Sequence, residues 1–176
     1  MVGRYLPVAT GMIGADMMRT VEIRPLAPDD APACDAVLAT LPYHFGNPVG
    51  IEACAAAVRT QRGWVADDAG TIIGFVTVEA STSETAEITW LAVHADHRRS
   101  GIGRRLVEQV VEVLTREGAE MLCVMTLGPS VPEPGVADSY EGTRMFYRRV
   151  GFTALKELAL STWSDGFALL LSRCLR

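Results

Sequence analysis

The fold is decided by residues 87–114, which read EITWLAVHADHRRSGIGRRLVEQVVEVL. Residues 88–93 predict a strand, because apolar side chains occupy both of its alternating faces, as is typical of a strand buried on both sides. Residues 102–114 predict an amphipathic helix, because apolar side chains recur at helical spacing with charged side chains between them. Gly101 and Gly103 stand directly at the start of this helix.

The start of this helix predicts a site for an anion. About four N–H groups at the beginning of a helix have no acceptor within it, and the helix dipole adds a partial positive charge there. Glycine has no Cβ atom, so a ligand can approach the backbone closely, and phosphate or pyrophosphate is the usual occupant. An ordinary turn between a strand and a helix is the alternative interpretation. The dinucleotide fingerprint is absent, because Leu106 stands where the third glycine would be, and so is the Gly-Lys-Ser/Thr of the phosphate-binding loop.

Two blocks of the sequence together indicate a family. The first is Arg98-x-x-Gly101-x-Gly103 after a Leu-Ala-Val strand, and the second is YEGTRMFYRRVGF at residues 140–152. The first block resembles the acetyl-CoA signature of the GNAT superfamily of N-acetyltransferases. The second resembles the Phe-Tyr-x-x-x-Gly-Phe segment of the same superfamily. The resemblance covers about residues 20–175, and the two blocks follow each other in the family's order.

The chain departs from the family's pattern at two positions of the second block. The family often has Asn six residues before the Phe and Ala three residues before it, where this chain has Tyr140 and Thr143. A contact of such an Asn with the pantetheine arm of the cofactor is therefore not implied here. An orientation of Tyr140 toward the acceptor is the alternative.

The resemblance implies an α+β fold: a mixed β-sheet of about six to seven strands, splayed at its middle where the cofactor enters, and flanked by about four helices. The periodicity, caps and turn residues agree with this fold. They predict strands at about residues 21–26, 64–66, 71–78, 87–93, 121–127, 153–160 and 166–175, and helices at about residues 29–41, 49–61, 102–117 and 138–151. The expected helix caps are Asp29 and Asp30 at the first helix, Asp138 or Ser139 at the last, and Gly118 at the end of the long helix.

Length and composition predict one domain. Residues 20–176 are expected to form the acetyltransferase domain, and residues 1–19 to be an extension without the apolar core of a signal peptide. The net charge of −5 argues against nucleic acid as a partner and favours small cationic substrates. The cysteines and histidines lack the spacing of metal ligands, so we expect no metal site. The thiols are expected to be reduced, as in a cytoplasmic protein. The expected oligomeric state is a monomer or a homodimer. No apolar run approaches about 18 residues, so no membrane span is predicted.

The chemistry that the resemblance implies needs a group that accepts a proton from the amine. An amine with a pKa near 10.4 is almost fully protonated at neutral pH, so a carboxylate or a bound water must take its proton before it attacks a thioester. Glu87 begins the strand where many GNAT enzymes place a base. A solvated residue at a strand edge is the alternative interpretation of Glu87, and Glu79 and Glu84 are the next candidates for the base.

The departing thiolate needs a proton donor. Tyr147 matches the tyrosine that in this superfamily points at the sulfur of CoA, and a phenol with a pKa of about 10 is still protonated at neutral pH. The alternative is a tyrosine that only packs between a helix and the sheet. If Tyr147 is the acid, we expect activity to fall at high pH as the phenol ionises.

The resemblance also implies how acetyl-CoA is held as the co-substrate. The strand is expected to offer backbone groups to pantetheine, and the helix start to offer N–H groups to the pyrophosphate. The predicted cofactor-binding residues are Leu91, Ala92, Val93, Arg98, Arg99, Ser100, Gly101, Ile102, Gly103 and Arg104. A Gly103→Val change is expected to crowd the cofactor while sparing the fold.

The predicted function is direct transfer of an acetyl group from acetyl-CoA to a primary amine of a small molecule or a peptide. The expected acceptor contacts are Tyr43, His44 and Phe45 between the first two helices, and acidic residues of the loop after residue 127, namely Glu133, Asp138 and Glu141. Ordinary packing and a solvated loop are the alternatives for these residues. A regulatory module that binds acetyl-CoA without turnover is the alternative function.

Overall fold

The computed structural model describes residues 21–42, 48–130, 138, 140–159 and 167–176. Several predictions lie outside these described residues: the N-terminal extension at 1–19, the acceptor contacts Tyr43, His44 and Phe45, the loop residue Glu133, the cap Ser139 and the turn at 164–166.

The described elements follow the predicted order of strands and helices. They are β1 (Glu22–Pro25), α1 (Ala31–Ala39), α2 (Pro48–Thr60), β2 (Arg62–Asp68), β3 (Thr71–Ala80), β4 (Thr85–Val93), α3 (Ile102–Arg116), β5 (Met121–Leu127), α4 (Glu141–Arg149), β6 (Thr153–Leu158) and β7 (Ala168–Cys174). The strands form one sheet in the order β1-β2-β3-β4-β5-β7-β6. The predicted α+β architecture is therefore confirmed, and β5 lies inside the sheet as its apolar sequence indicated.

Both faces of the sheet are covered by helices over its first strands. On one face α3 packs with buried Leu106, Val107 and Val110, and the same apolar cluster includes Tyr147 of α4. On the other face α1 and α2 pack over Phe75 and its neighbours in β2 and β3. The amphipathic pattern of α3 thus determines which side of the sheet the helix covers. None of the described helices is both long and apolar enough to cross a membrane.

The sheet is open between β4 and β5 at one end. The two strands are parallel and paired from Thr85 with Met121 to Ile88 with Val124, and their pairing stops there. A bulge occurs at the same point, because Thr77 pairs with Trp90 and Val78 pairs with Ile88, which leaves Thr89 as an extra residue of β4. A bulge bends and twists its strand. The second half of β4 therefore leaves β5, as the predicted splay requires.

Side chains from β3 and from the residue between α2 and β2 hold the bulge in place. The Thr89 hydroxyl donates to the Gln61 side chain at 2.5 Å and lies 2.8 Å from the Thr77 hydroxyl. Gln61 in turn donates to Glu79 at 3.3 Å. Buried polar groups need such partners, because an unpaired one costs about 1–3 kcal/mol. The network therefore fixes the bend at the point where the sheet opens.

Asp30 stands at the cap position of the first helix, as predicted. Its side chain, however, makes no capping hydrogen bond to α1. It accepts two hydrogen bonds from Arg24, both at 2.8 Å, and one from the backbone N–H of Ala27 at 2.8 Å. Arg24 also contacts Asp67 of β2 at 2.9 Å. Arg24 of β1, six residues earlier, thus binds the carboxylate, and its hydrogen bonds lower the pKa of Asp30.

The caps of the later helices agree better with the sequence. Gly118 follows α3 with a φ of +87°, the left-handed conformation that was expected of it. Asp138 stands two residues before the residue that caps α4, which is Tyr140. The Asp138 side chain accepts a hydrogen bond from the N–H of Tyr140 at 3.1 Å. Asp138 therefore stabilises the start of α4, although it lies before the cap residue.

Candidate active site

The open half of β4 presents unpaired backbone groups to the gap in the sheet. The N–H of His94 donates to the carbonyl of Ile73 in β3 at 2.9 Å. Because backbone groups of alternate residues point to the same side of a strand, Ala92 also faces β3, while Leu91 and Val93 face away from it. The neighbour on that side is β5, whose pairing with β4 has already ended. Leu91 and Val93 thus have no strand partner there among the described residues.

The N-terminus of α3 lies at the end of this strand. The first hydrogen bond of the helix runs from the N–H of Arg105 to the carbonyl of Gly101 at 3.1 Å. The N–H groups of Ile102, Gly103 and Arg104 consequently have no acceptor within the helix. Gly101 itself has a φ of +89°, which an L-residue rarely adopts and glycine adopts freely. The predicted N–H cradle is thus present in the backbone at this point.

Arginine side chains surround the cradle with positive charge. Arg98 and Arg99 are exposed, and neither has an ion-pair partner in the part of the chain that the structure describes. Arg104 is also exposed but is paired with Glu108 at 2.8 Å. The hydroxyl of Ser100 donates to the carbonyl of His97 at 2.5 Å, which stabilises the turn before the helix. Arg98 and Arg99 are therefore the cations available to an anion here.

Gly103 lies against α4 and β4 as well as at the cradle. A Cβ atom at this position would stand in ordinary van der Waals contact with the protein, 3.4 Å from the ring of Phe146 and 3.7 Å from a methyl group of Val93. A side chain here would therefore point toward Phe146. That Gly103→Val crowds the cofactor while sparing the fold stays a prediction, and its added methyl groups would lie beside Phe146.

Glu87 lies on the sheet face that carries α1 and α2, next to a second carboxylate. It pairs in register with Glu79 of β3 and with Cys123 of β5. Glu87 is half-buried, and desolvation together with the charge of Glu79 raises its pKa. A carboxylate with a raised pKa is a stronger base than an ordinary surface glutamate. Its alternative interpretation as a fully solvated edge residue does not match this burial.

A row of polar side chains extends from Glu87 across the sheet. The register continues from Cys123 to Ser172 of β7, and from Ser172 to Thr153 of β6. Helices α1 and α2 lie over β3 and β4, and Cys123 and Ser172 beyond them are only half-buried. This half-open face of β5 and β7, beside Glu87, is a surface on which an acceptor molecule can lie.

Tyr147 is packed in the apolar cluster on the opposite face. Its ring is 6% exposed and contacts the rings of Phe146 and Phe152, with centroids 5.2 and 5.5 Å away. Burial raises the pKa of Tyr147. No described residue forms a hydrogen bond with its hydroxyl group. The phenol is thus kept protonated, and its ring lies next to Phe146, which contacts the start of α3 at Gly103.

The charged residues of α4 and the cysteines differ in how far they are buried. Arg148 and Arg149 are exposed, whereas Arg144 is buried, which the local sequence did not suggest. Asp138 forms an ion pair with Arg144, so its carboxylate is not available to a cationic acceptor. Cys34 and Cys54 are buried free thiols, whereas the other two cysteines are more exposed. Within the described ranges, no three Cys, His, Asp or Glu side chains group as metal ligands do.

Comparison with known sequences identifies the domain. The pattern of the acetyltransferase (GNAT) domain matches residues 59–154, which is more than half of the chain. An uncharacterized N-acetyltransferase of Chlorobaculum tepidum is 33% identical over 94 residues. That match covers 53% of this chain and 51% of the relative, so the chain matches about half the length of this relative.

Solved structures share the fold. A protein described as a GNAT-family acetyltransferase from Desulfovibrio desulfuricans superposes with a TM-score of 0.74 at 22% identity, over 89% of this chain and all of the other. The ribosomal-protein-S18-alanine N-acetyltransferase of Escherichia coli gives 0.69 at 17% identity, over 89% and 94% of the two chains. An aminoglycoside 6'-N-acetyltransferase in complex with coenzyme A gives 0.67 at 17% identity, over 88% and 97%.

The residues of this chain fit the co-substrate that such domains use. The unpaired backbone groups of Leu91 and Val93 suit the amide groups of an extended pantetheine arm, and the N–H groups at the start of α3 suit a pyrophosphate. The glycine at position 101 supplies the turn that the cradle needs. Because the domain pattern, the fold and this site agree, the chain belongs to the GNAT family of acetyltransferases.

Proposed function

We propose that this protein transfers an acetyl group from acetyl-CoA directly to a primary amine. The observation that carries the proposal is a pair of unpaired backbone sites: Leu91 and Val93 in the open half of β4, and the N–H groups of residues 102–104 in the first turn of α3. The N–H groups of residues 94–98 between the two sites are hydrogen-bonded within the protein. The two sites suit an elongated ligand that has amide groups in one part and phosphates in the other. Acetyl-CoA has this form, and it carries the acetyl group at the end remote from the phosphates.

The reaction needs two proton movements, and the chain has a candidate for each. The neutral amine attacks the thioester carbonyl, so that a C–N bond forms and the C–S bond breaks. The proton that the amine loses passes to Glu87, directly or through a water, and Tyr147 gives its proton to the departing thiolate. Glu87 lies on one face of the sheet and Tyr147 on the other, and the sheet opens just beyond Glu87, after the pair of Ile88 and Val124. Amine and thioester then approach from opposite sides.

The acceptor is proposed to carry positive charge. Glu79 and Glu87 lie opposite each other on neighbouring strands, and the net charge of the protein is −5. Two of the proteins with similar folds are named for their acceptors, one for an alanine of a ribosomal protein and one for an aminoglycoside. Both are amines, and for this chain we propose the same broad class: a primary amine of a small molecule or a peptide.

A thiol-release assay tests the function. Acetyl-CoA should be consumed, and free CoA detected with a thiol reagent, when the protein is given amines from a panel of polyamines, aminoglycosides, amino acids and short peptides. Calorimetry without any amine should show that acetyl-CoA binds. Binding without thiol release from any amine of the panel would favour the alternative, a regulatory module that binds acetyl-CoA. Absence of binding at millimolar concentration would refute the proposal.

The role of Glu87 predicts a characteristic pH dependence. Burial and Glu79 raise its pKa, so the active carboxylate form predominates only above this raised value, and activity should fall as the pH drops through it. Glu87→Gln should lower kcat/KM about tenfold or more near neutral pH. The loss should shrink at high pH, where a larger fraction of the amine is already neutral. The measurement is a pH–rate profile of both proteins with one good amine.

Two further variants make the test of Glu87 specific. Glu79→Gln removes the neighbouring negative charge, so it should lower the pKa of Glu87 and move the acid limb of the profile to lower pH. Glu112→Gln makes the same chemical change on the outer face of α3, where Glu112 is exposed, and should leave the profile unchanged. A loss in Glu87→Gln that is equal at every pH would instead indicate a structural role.

A further inference from the structure

Arg144 is the one charged side chain that is buried in the part of the chain that the structure describes. It lies in α4 and is 7% exposed. A buried charge destabilises a protein strongly unless it has partners. Its guanidinium donates to the carbonyl of Leu127 at 2.9 Å and forms an ion pair with Asp138. The reaction proposed above makes no use of this group.

The two partners of Arg144 lie at defined places in the fold. Leu127 is the last residue of β5, the strand that borders the gap opposite the open half of β4. Asp138 comes shortly before α4 and also accepts the N–H of Tyr140. One guanidinium thus connects the end of β5 to the beginning of α4. Near the same end of β5, Ser130 donates two hydrogen bonds to the carboxylate of Glu157 in β6. These bonds, and to a smaller extent the charge of Arg144, lower the pKa of Glu157.

Arg144 and Tyr147 share one buried face of α4. They are three residues apart, which places them on neighbouring turns of the same side of a helix. The described contacts of the Tyr147 ring are with Phe146 and Phe152, and such apolar packing has little directional preference. Hydrogen bonds and ion pairs have a defined geometry. The end of α4 is held by one such bond, from Arg173 of β7 to the carbonyl of Val150 at 2.7 Å. The bonds of Arg144 are the directional contacts that hold the first turns of α4 to the end of β5, and they therefore help to determine where the Tyr147 hydroxyl stands.

We infer that Arg144 is a positioning residue for acetyl transfer: by holding α4 to the end of β5, it sets the place of the Tyr147 hydroxyl relative to the departing sulfur. The inference rests on the proposed function, in which Tyr147 is the proton donor. It assigns Arg144 no contact with acetyl-CoA or with the amine. The variant should therefore change kcat and leave the KM for acetyl-CoA nearly constant.

A kinetic double-mutant cycle tests the inference. Arg144→Met keeps a long apolar side chain and removes both bonds, and it should lower kcat about tenfold. Tyr147→Phe should lower kcat about a hundredfold. If Arg144 acts only by placing the Tyr147 hydroxyl, the double variant should lose no more than Tyr147→Phe alone. If the two losses in kcat multiply in the double variant, to about a thousandfold, the inference is overturned. An unchanged kcat in Arg144→Met would overturn it as well.

Two more variants separate positioning from stability. Arg144→Lys keeps the buried charge but lacks the forked donor, so it should fold and lose kcat by about threefold. Arg144→Met combined with Asp138→Leu removes both members of the ion pair, so the thermal midpoint should recover. The kcat of this double variant should stay low, because the carbonyl of Leu127 still lacks its donor. If kcat recovered together with the thermal midpoint, the inference would be overturned. Tyr147→Phe with full activity would refute the proposed acid itself, whereas multiplying losses refute only the role of Arg144.

Discussion

Tyr147→Phe should lower kcat about a hundredfold while the affinity for CoA stays nearly the same. General acid help is typically worth about 10²–10⁴ in rate, and a thiolate needs less help than a more basic leaving group, so the lower end applies. The change keeps the ring and its contacts with Phe146 and Phe152, and it removes only the hydroxyl group. The measurements are steady-state kinetics with one good amine and calorimetry with CoA.

The structure alters the pH dependence that the sequence suggested for Tyr147. An ordinary phenol ionises near pH 10, which would produce a fall in activity on the alkaline side. Burial raises the pKa of Tyr147, so the protonated form, which is the acid, persists to a higher pH. We therefore expect no fall in kcat that depends on Tyr147 up to about pH 10. A fall in activity near pH 9 that is absent in Tyr147→Phe would contradict this expectation. Full activity of Tyr147→Phe would show that Tyr147 only packs against its neighbours.

Gly101→Ala should weaken the binding of CoA by about ten- to a hundredfold. At a φ of +89° an L-residue is strained by roughly 1–2 kcal/mol, so the turn must shift or carry that strain. A shift turns the first N–H groups of α3 away from the pyrophosphate, and a hydrogen bond to a charged group contributes about 1.5–3 kcal/mol. A Cβ atom at this position meets no protein atom within 4 Å, so the effect does not arise from a clash inside the protein. Calorimetry with CoA measures it.

The other end of the same helix provides a matched control. Gly118 has a φ of +87°, and a Cβ atom there also meets nothing within 4 Å. Gly118→Ala should therefore destabilise the protein by about as much as Gly101→Ala, and urea unfolding compares the two. Only Gly101→Ala should weaken CoA binding, because only Gly101 lies at the cradle. If both variants bound CoA with equal affinity, the pyrophosphate would have to bind at a place other than the start of α3.

The fold was predictable because its signals are local. The alternation of apolar residues, the glycines and prolines, and the amphipathic pattern of α3 each act over a few residues, and they gave every described element in the right order. The cradle was predictable for the same reason, since a strand, a glycine turn and a helix start are consecutive in residues 91–104. The left-handed Gly118 also depends only on the end of its own helix.

What the sequence missed are contacts between different elements of the structure. Asp30 stands at the predicted cap position, but its carboxylate is bound by Arg24 of β1, which also reaches Asp67 of β2. Gly103 lies beside Phe146 of α4, which the sequence around it does not show. Local propensity cannot report such contacts, because they exist only after distant elements have packed.

By itself, then, the sequence determined the family, the order of the elements and the backbone cradle, all of which follow from neighbouring residues. Tertiary structure alone decided the properties on which the proposed chemistry depends. Glu87 becomes a stronger base only because the register of the sheet buries it beside Glu79. Tyr147 stays protonated into the alkaline range because α4 packs it into the core, which raises its pKa. Arg144 joins α4 to β5 only because α4 packs beside Leu127 at the end of that strand. A charge that the sequence shows as one of many thereby becomes buried and paired.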